Sequence, residues 1–347
     1  MRVHITDVQT GDRLSQDAFN HYGLLVLSKG AVLNDHELSR LFQHQIEHIE
    51  IDRRETEYPR QVEADFPLRP ELRPIYQDAV IGFELMFEKA LVEGKVYEDD
   101  LKESFQPLVE NCMVERDVVS LLLLLNSQDD YTYQHSVQVG MLSYYMARWM
   151  NWDEERAVQA GKAGFLHDIG KCRIPDHILN KPGKLTEEEY KEIQNHPRYG
   201  YDILQNSFDD PVLSLAAYQH HERMNGTGYP NRLKGDDIHP VSRIVAVADT
   251  YSAMISSRIY QSKRDLMYVL KELYKESFSH LDPYVAHTFI RHMLPNFIGK
   301  KVELSGGLSG TIVMNHPTDF FRPLIRTEDG FIDLSTTPQF EINHVYV

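Results

Sequence analysis

From Tyr76 to about Leu294 the sequence follows helical periods, and histidine and aspartate repeatedly occupy its apolar faces and helix ends. His135 shares a stripe with Val139, Leu142 and Met146, so a helix would turn its ring inward. His167 and Asp168 close the Ala- and Gly-rich helix AVQAGKAGFLHDIGK. His196 stands beside Pro197 at a helix boundary, His220 and His221 end the helix that runs from Val212, and Asp249 lies in the apolar run RIVAVADTYSAM. One histidine on an apolar face is ordinary, because a single hydrogen bond satisfies it. Five histidines and two aspartates in one helical block are not, since each buried polar group left without a partner costs on the order of a few kcal/mol. Metal ions supply such partners, and mixed imidazole and carboxylate donors suit iron, manganese, zinc or nickel.

The flanks read differently. Residues 1–62 alternate the short apolar runs Val3–Ile5, Leu24–Leu27 and Ile49–Ile51 with Gly11, Asn20, Gly23 and Gly30, which predicts a small α+β accessory domain with one helix at Asp35–Gln43. The charged, proline-bearing stretch Asp52–Pro74 reads as linker. Residues 63–112 then combine linker and helix, with Tyr76, Val80, Phe83, Phe87 and Leu91 at spacings of 4, 3, 4 and 4 forming an amphipathic stripe. Residues 113–296 are the helical block. Within it Thr186 and Glu189 form a capping box, Asp153 precedes a helix, and Pro211, Pro240 and Pro283 sit where a first helical turn accepts proline. Residues 297–347 return to alternation and glycine, and Gly306–Gly310 reads as a hairpin turn because strands flank it on both sides. The expectation is a mainly α helical bundle with small β-rich segments at both ends.

The formal charge of −16, from 36 basic and 52 acidic residues, argues against nonspecific binding of DNA, RNA or an anionic membrane. Two cysteines, Cys112 and Cys172, cannot build a disulfide framework. The longest apolar run, Leu121–Leu125, is far short of the roughly 20 residues that span a bilayer. A cytoplasmic protein with no membrane insertion is expected.

The strings HSVQV at 135–139, HDIGK at 167–171, NHP at 195–197, HHERMNGTGYP at 220–230 and ADTYSAM at 248–254 resemble, in that order, the motifs of the HD-GYP family of metal phosphodiesterases, over about residues 113–295. The resemblance implies an HD-domain helical bundle that hydrolyses cyclic di-GMP to pGpG or GMP, with two divalent ions per chain, iron or manganese. Carried over motif by motif, it implies His135, His167, Asp168, His196, His220, His221 and Asp249 as metal ligands, with Asp168 bridging. It also implies Arg258, in SSRIY, as a contact to guanine or phosphate. The sequence departs from the family at Gln261, where a basic residue is frequent, and at Tyr131, where a third-metal glutamate stands in some members; two metals are therefore expected here. Two other readings remain open. One is a cyclic dinucleotide receptor of negligible turnover, and the other a phosphodiesterase for a different cyclic dinucleotide such as 3′,3′-cyclic GMP-AMP.

The chemistry is consistent without the family name. Two ions about 3.5–4 Å apart can hold a hydroxide between them and polarise a phosphodiester, and no serine or cysteine nucleophile motif is present. Beside Asp168, Lys171 is the expected catalytic partner, reaching a phosphate oxygen. Gly228, Tyr229 and Pro230 are the expected substrate loop. The Tyr76–Leu91 stripe is expected either to bury against its own chain or to pair two copies into a homodimer.

Overall fold

The computed structural model describes residues 2–4, 12–19, 25–34, 37, 40–41, 44, 46, 48–51, 72–112, 131–181, 183–256, 266–316 and 319–346. The helix expected at Asp35–Gln43 and the linker Asp52–Pro74 are described only in part. Leu121–Leu125, Arg258, Gln261 and the side chain of Tyr131 lie outside the described residues.

The chain divides into two compact units, Met1–Asp65 and Phe66–Val347. In the first, β1 (Arg2–His4) pairs antiparallel with β4 (His48–Glu50), and β2 (Ala18–Phe19) with β3 (Leu25–Leu27). Leu14, Val26, Leu33, Leu41, Ile49 and Ile51 form its own small core.

The second unit is helical with one terminal sheet. Among the described residues its helices of more than one turn are α1 (Leu72–Glu93), α2 (Glu98–Cys112), α3 (Tyr131–Trp149), α4 (Glu154–Leu166), α5 (Glu187–Ile193), α6 (His196–Gln205), α7 (Pro211–Gln219), α8 (Pro240–Ser256), α9 (Leu266–Glu276) and α10 (Pro283–Met293). Several start where the sequence predicts. Asp153 accepts the Arg156 N–H at 2.9 Å ahead of α4, and the Thr186–Glu189 capping box closes with contacts of 3.2 and 2.8 Å ahead of α5. Pro211, Pro240 and Pro283 each occupy a first turn, where no backbone N–H is needed.

Close backbone approach sets the positions of the helices that carry the site. A Cβ at Gly164 of α4 would lie 2.7 Å from the Val139 carbonyl of α3, and one at Gly161 would lie 2.7 Å from the Phe105 ring of α2. Glycine thus lets α3 and α4 run against each other, which brings His135 beside His167. The expected stripe on α1 faces its own chain. Phe83 is fully buried, edge-on to Phe165 at 5.2 Å and beside Tyr133 at 6.0 Å, while Leu91 at the helix end is 58% exposed. Burial of Tyr76 and Phe83 in the helical core, with Phe87 half-buried against it, therefore accounts for the stripe.

After α10, strands β5 (Lys301–Leu304), β6 (Ser309–Met314), β7 (Leu324–Thr327), β8 (Gly330–Asp333) and β9 (Ile342–Tyr346) form an antiparallel sheet ordered β8-β7-β6-β5-β9. The β5–β6 hairpin turns through Gly306 and Gly307 at φ of 87° and 79°, backbone that favours glycine. Val302, Ile312, Ile325 and Val345 join the same apolar cluster as the helices.

Gly170, just after Asp168, makes the tightest of these approaches: its Cβ would meet the His196 carbonyl at 2.1 Å and the Gly200 N at 2.3 Å, both backbone atoms. Gly170→Ala should therefore cost about 3 kcal/mol of unfolding free energy in urea denaturation. An unchanged midpoint and slope would show that the two backbones are not in contact.

Candidate metal centre

The residues that the motifs single out arrive from separate elements at one place. His135 comes from α3 and Asp249 from α8. His167 follows α4, His196 follows α5, and His220 with His221 follows α7. Three of these histidines share one construction: His167 Nδ1 lies 2.7 Å from Gly164 O, His196 Nδ1 2.7 Å from Ile193 O, and His220 Nδ1 2.8 Å from Ala217 O. A helix end leaves its last carbonyls without intrahelical donors, and a histidine three residues on fills one of them. A carbonyl only accepts, so each Nδ1 carries the proton and each Nε2 presents a lone pair away from the helix end. The negative ends of three helices meet here, a setting that favours cations.

The bare Nε2 atoms surround Asp168. Oδ2 lies 3.2 Å from His167 Nε2 and 3.8 Å from His135 Nε2; Oδ1 lies 3.3 Å from His196 Nε2 and 3.7 Å from His220 Nε2. Asp249 completes both sides, its Oδ1 being 3.1 Å from His135 Nε2 and its Oδ2 4.0 Å from His221 Nδ1. Two donor groups result, His135–His167–Asp249 and His196–His220–His221, with the Asp168 carboxylate between them.

The contacts of His167, His196 and His220 with Asp168 are acceptor against acceptor. His196 Nε2 and His220 Nε2 are 3.2 Å apart with their Nδ1 protons already committed, and buried Asp168 Oδ1 has no hydrogen-bond partner. Such a cluster needs shared protons or cations. Burial alone would raise the Asp168 pKa, but His167 and Lys171 outweigh it and hold the carboxyl well below its usual range; Asp249 is likewise held ionised, by His135 above all. Burial, then the neighbouring imidazoles, push His220 well below the ordinary histidine value, and His221 falls mainly through burial. For His167 burial opposes protonation, yet Asp168 beside it wins and the pKa rises. Two carboxylates in charged form among imidazole nitrogens fit divalent cations with nitrogen and oxygen ligands.

Access is one-sided. The side chains of His167, His220, His196 and Asp168 are 2% exposed or less, whereas Asp249 is 12%, His221 20% and Lys171 24% exposed. Lys171 Nζ donates to Asp168 Oδ2 at 2.6 Å, at this open edge. Tyr229 stands there too, stacked on His221 with centroids 4.7 Å apart, and burial raises its hydroxyl pKa so that it remains protonated. A separate cleft of about 600 Å³ near Glu98, Glu154, Glu155, Asp209 and Asp210 contains none of these residues, and its acidic lining is unsuited to an anion.

Three further residues hold the arrangement and escaped the sequence reading. Glu222, only 2% exposed, accepts the backbone N–H of Asn231 at 2.6 Å and of Leu233 at 2.9 Å, tying the Gly226–Pro230 loop to the His220–His221 pair. Gly228 has room for no side chain, since a Cβ would lie 2.4 Å from His221 O, while Pro230 follows a cis peptide bond and is exposed. Ser252 and Gln138 support His135. The available signal was a charged or polar residue at the buried spacing: Glu222 directly after two histidines, Gln138 three after His135, Ser252 three after Asp249.

Residues 120–285 match the HD domain family. Among curated relatives, the chain is 35% identical over 206 residues to a Pseudomonas aeruginosa protein named cyclic di-GMP phosphodiesterase PA4108, covering 59% of this chain and 50% of that one. It is 34% identical over 191 residues to 3′3′-cGAMP-specific phosphodiesterase 1 of Vibrio cholerae, covering 54% and 44%. The chain thus spans about half the length of these relatives or less. Among solved structures, Bd1817 of Bdellovibrio bacteriovorus, described as an HDG"Y"P protein, shares the fold with a TM-score of 0.51 at 18% identity, over 83% of this chain and 97% of that one.

The buried Glu222 carboxylate is directly testable. Glu222→Gln leaves one acceptor for two backbone donors, so hydrogen exchange at the Asn231 or Leu233 amide should accelerate about tenfold or more, with α8 amides unchanged. Wild-type protection at both amides in the variant would remove Glu222 as the loop's anchor.

Proposed function

Because residues 120–285 match the HD domain family and carry motifs of the HD-GYP type, we propose that the chain hydrolyses cyclic di-GMP to pGpG, to GMP, or to both. In this reading His135, His167 and Asp249 hold one divalent ion, His196, His220 and His221 hold a second, and Asp168 bridges them. Iron or manganese suits the donors, which include no thiolate. The observation that carries the reading is the pair of Asp168 oxygens, each turned toward a different group of bare imidazole nitrogens.

Ions bound there would neutralise phosphoryl charge and acidify a water molecule for in-line attack. The chain's own residues do the rest. Lys171, at the open edge, turns its ammonium from Asp168 to a non-bridging phosphate oxygen as the substrate enters, and there offsets charge that grows in the transition state. Tyr229, protonated and half-buried, donates its hydroxyl to the phosphate while its ring remains on His221. Glu222 and Gly228 keep that loop against the ligand pair. Arg258 binds guanine or phosphate through its planar fork of donors. The relatives named for cyclic di-GMP and for 3′3′-cGAMP share the substrate chemistry of a cyclic dinucleotide with two phosphodiester bonds. Hydrolysis of both compounds by one preparation decides between them.

Asp168→Ala should lose both ions, measured as metal per chain, together with all hydrolysis. Two ions per chain with wild-type turnover in that variant would remove the bridge. Chelation of the wild-type protein should abolish turnover and lower Tm, both restored by adding Mn2+ back. Tight binding of cyclic di-GMP without turnover at any metal loading would instead favour a receptor. Arg258→Ala should raise KM by about tenfold, the scale of one charge-assisted hydrogen bond, and leave metal content unchanged. A fall in metal content there would place Arg258 among the groups that hold the ions.

A further inference from the structure

We propose that Arg243 is a positioning residue for the substrate: it clamps the stem of the loop that carries Gly228, Tyr229 and Pro230 onto α8, the helix that also presents Asp249, and so sets where Tyr229 stands relative to the metal centre. The inference rests on the reading of that loop as the substrate loop.

Arg243 occupies the first turn of α8, at the positive end of the helix dipole, where a cation gains nothing from the helix. What it gains comes from acceptors on two other segments. Nε donates to the Ile238 carbonyl at 2.8 Å, Nη2 to Asp236 Oδ1 at 3.0 Å and Nη1 to Asp282 Oδ2 at 3.2 Å. The Asp236 side chain is fully exposed, so that pair holds little. The other two contacts are sheltered, since the Arg243 and Asp282 side chains are 15% and 12% exposed and Ile238 is buried. Asp282 is itself fixed, because its Oδ1 accepts the Tyr284 and Val285 N–H groups at the head of α10, at 2.9 and 3.3 Å.

These partners bracket the stem of the loop. Its arms leave the His220–His221 pair at Met224 and return at Gly235, where the Gly235 N–H donates to Met224 O at 3.1 Å and Asn225 pairs antiparallel with Lys234. On the outgoing arm the Met224 N–H donates to His280 O at 2.8 Å, in the turn between α9 and α10. On the returning arm the Ile238 N–H donates to Gly235 O at 3.2 Å, and the Ile238 carbonyl accepts from Arg243. His280 and Asp282 flank the buried Leu281, so one turn holds the outgoing arm directly and the returning arm through Arg243. Arg243 lies six residues before Asp249 on the same helix, about 9 Å along its axis. The start of α8 is joined to the other donor group as well, because the His239 N–H donates to Oε1 of Gln219, beside His220, at 2.8 Å. The loop tip has anchors of its own in Glu222 and in the Tyr229 N–H, which donates to His221 O at 3.2 Å, but these tie it to its own first residues. Arg243 ties it to the helix of Asp249. Its hydrogen bonds reach none of the seven candidate donors, and it acts through the loop.

The test is hydrogen exchange on metal-free, full-length protein, for wild type, Arg243→Lys and Asp282→Asn, with thermal melting of each. Mn2+ content and steady-state hydrolysis of cyclic di-GMP are then measured on the Mn2+-loaded proteins. Arg243→Lys keeps the charge but offers one nitrogen where the planar fork served three acceptors. It should accelerate exchange at the Met224, Gly235 and Tyr229 amides by about tenfold or more beyond any change at α3 amides. It should also raise KM by about 3–10-fold, with kcat within about twofold and Mn2+ content unchanged. Asp282→Asn keeps the cap on α10 and removes the carboxylate from Arg243; it should accelerate the same three amides by about threefold or more, and it decides the matter if Arg243→Lys has no cooperative melt. Exchange that rises at Ile238 alone, with Tyr229 and KM as in wild type, would overturn the inference, as would a fall in Mn2+ content in Arg243→Lys. Wild-type protein that binds Mn2+ yet hydrolyses no cyclic dinucleotide would overturn the reading of the loop, and this inference with it, whichever way the exchange data fall.

Discussion

A single carboxylate flanked on both sides by bare imidazole nitrogens is the arrangement on which the rest of this molecule depends. Asp168 is almost fully buried, ionised, and within 3.8 Å of four histidine Nε2 atoms. Protein groups alone do not satisfy it, since most of these contacts set lone pair against lone pair. The fold tolerates that only because it holds the donors rigidly. Gly161 and Gly164 let α3, α4 and the Phe105 ring interlock, and Gly170 lets the turn after Asp168 press on the start of α6. Each glycine concedes some helix or turn propensity in return for a distance that a Cβ would lengthen.

Helix termination recurs as the means of turning bare histidine nitrogens toward one place. α4, α5 and α7 each end so that an unspent carbonyl takes the Nδ1 proton of the histidine three residues later. The same ends bring negative dipoles to the centre. A chain with a net charge of −16 thereby builds a place for cations, and bound cations would in turn make a local positive field suited to a phosphodiester. His135 and Asp249 arise instead within helices, where backbone carbonyls are already bonded. For His135 that support comes from Ser252 on the neighbouring helix α8.

Much of this was legible in the order of residues. Helical periodicity, the Thr186–Glu189 box, the prolines at first turns and the glycine hairpin at 306–307 are local, and local backbone energetics decided each where the sequence placed it. The seven candidate donors were legible too, because buried histidine and aspartate are costly and their short strings carry a family resemblance. Tertiary structure decided what no short window contains. The stripe on α1 had two possible partners of equal apolar character, another copy or its own chain, and only the packing of Phe83 on Phe165 and Tyr133 selected the second. Glu222, Gln138 and Ser252 resembled ordinary polar positions until residues 9 to 117 apart in sequence met them. A hydrogen bond depends on distance and angle between atoms, and spacing along the chain determines those only within one helical turn. Ser252 and His135, on different helices, come within 2.9 Å through the packing of the whole bundle.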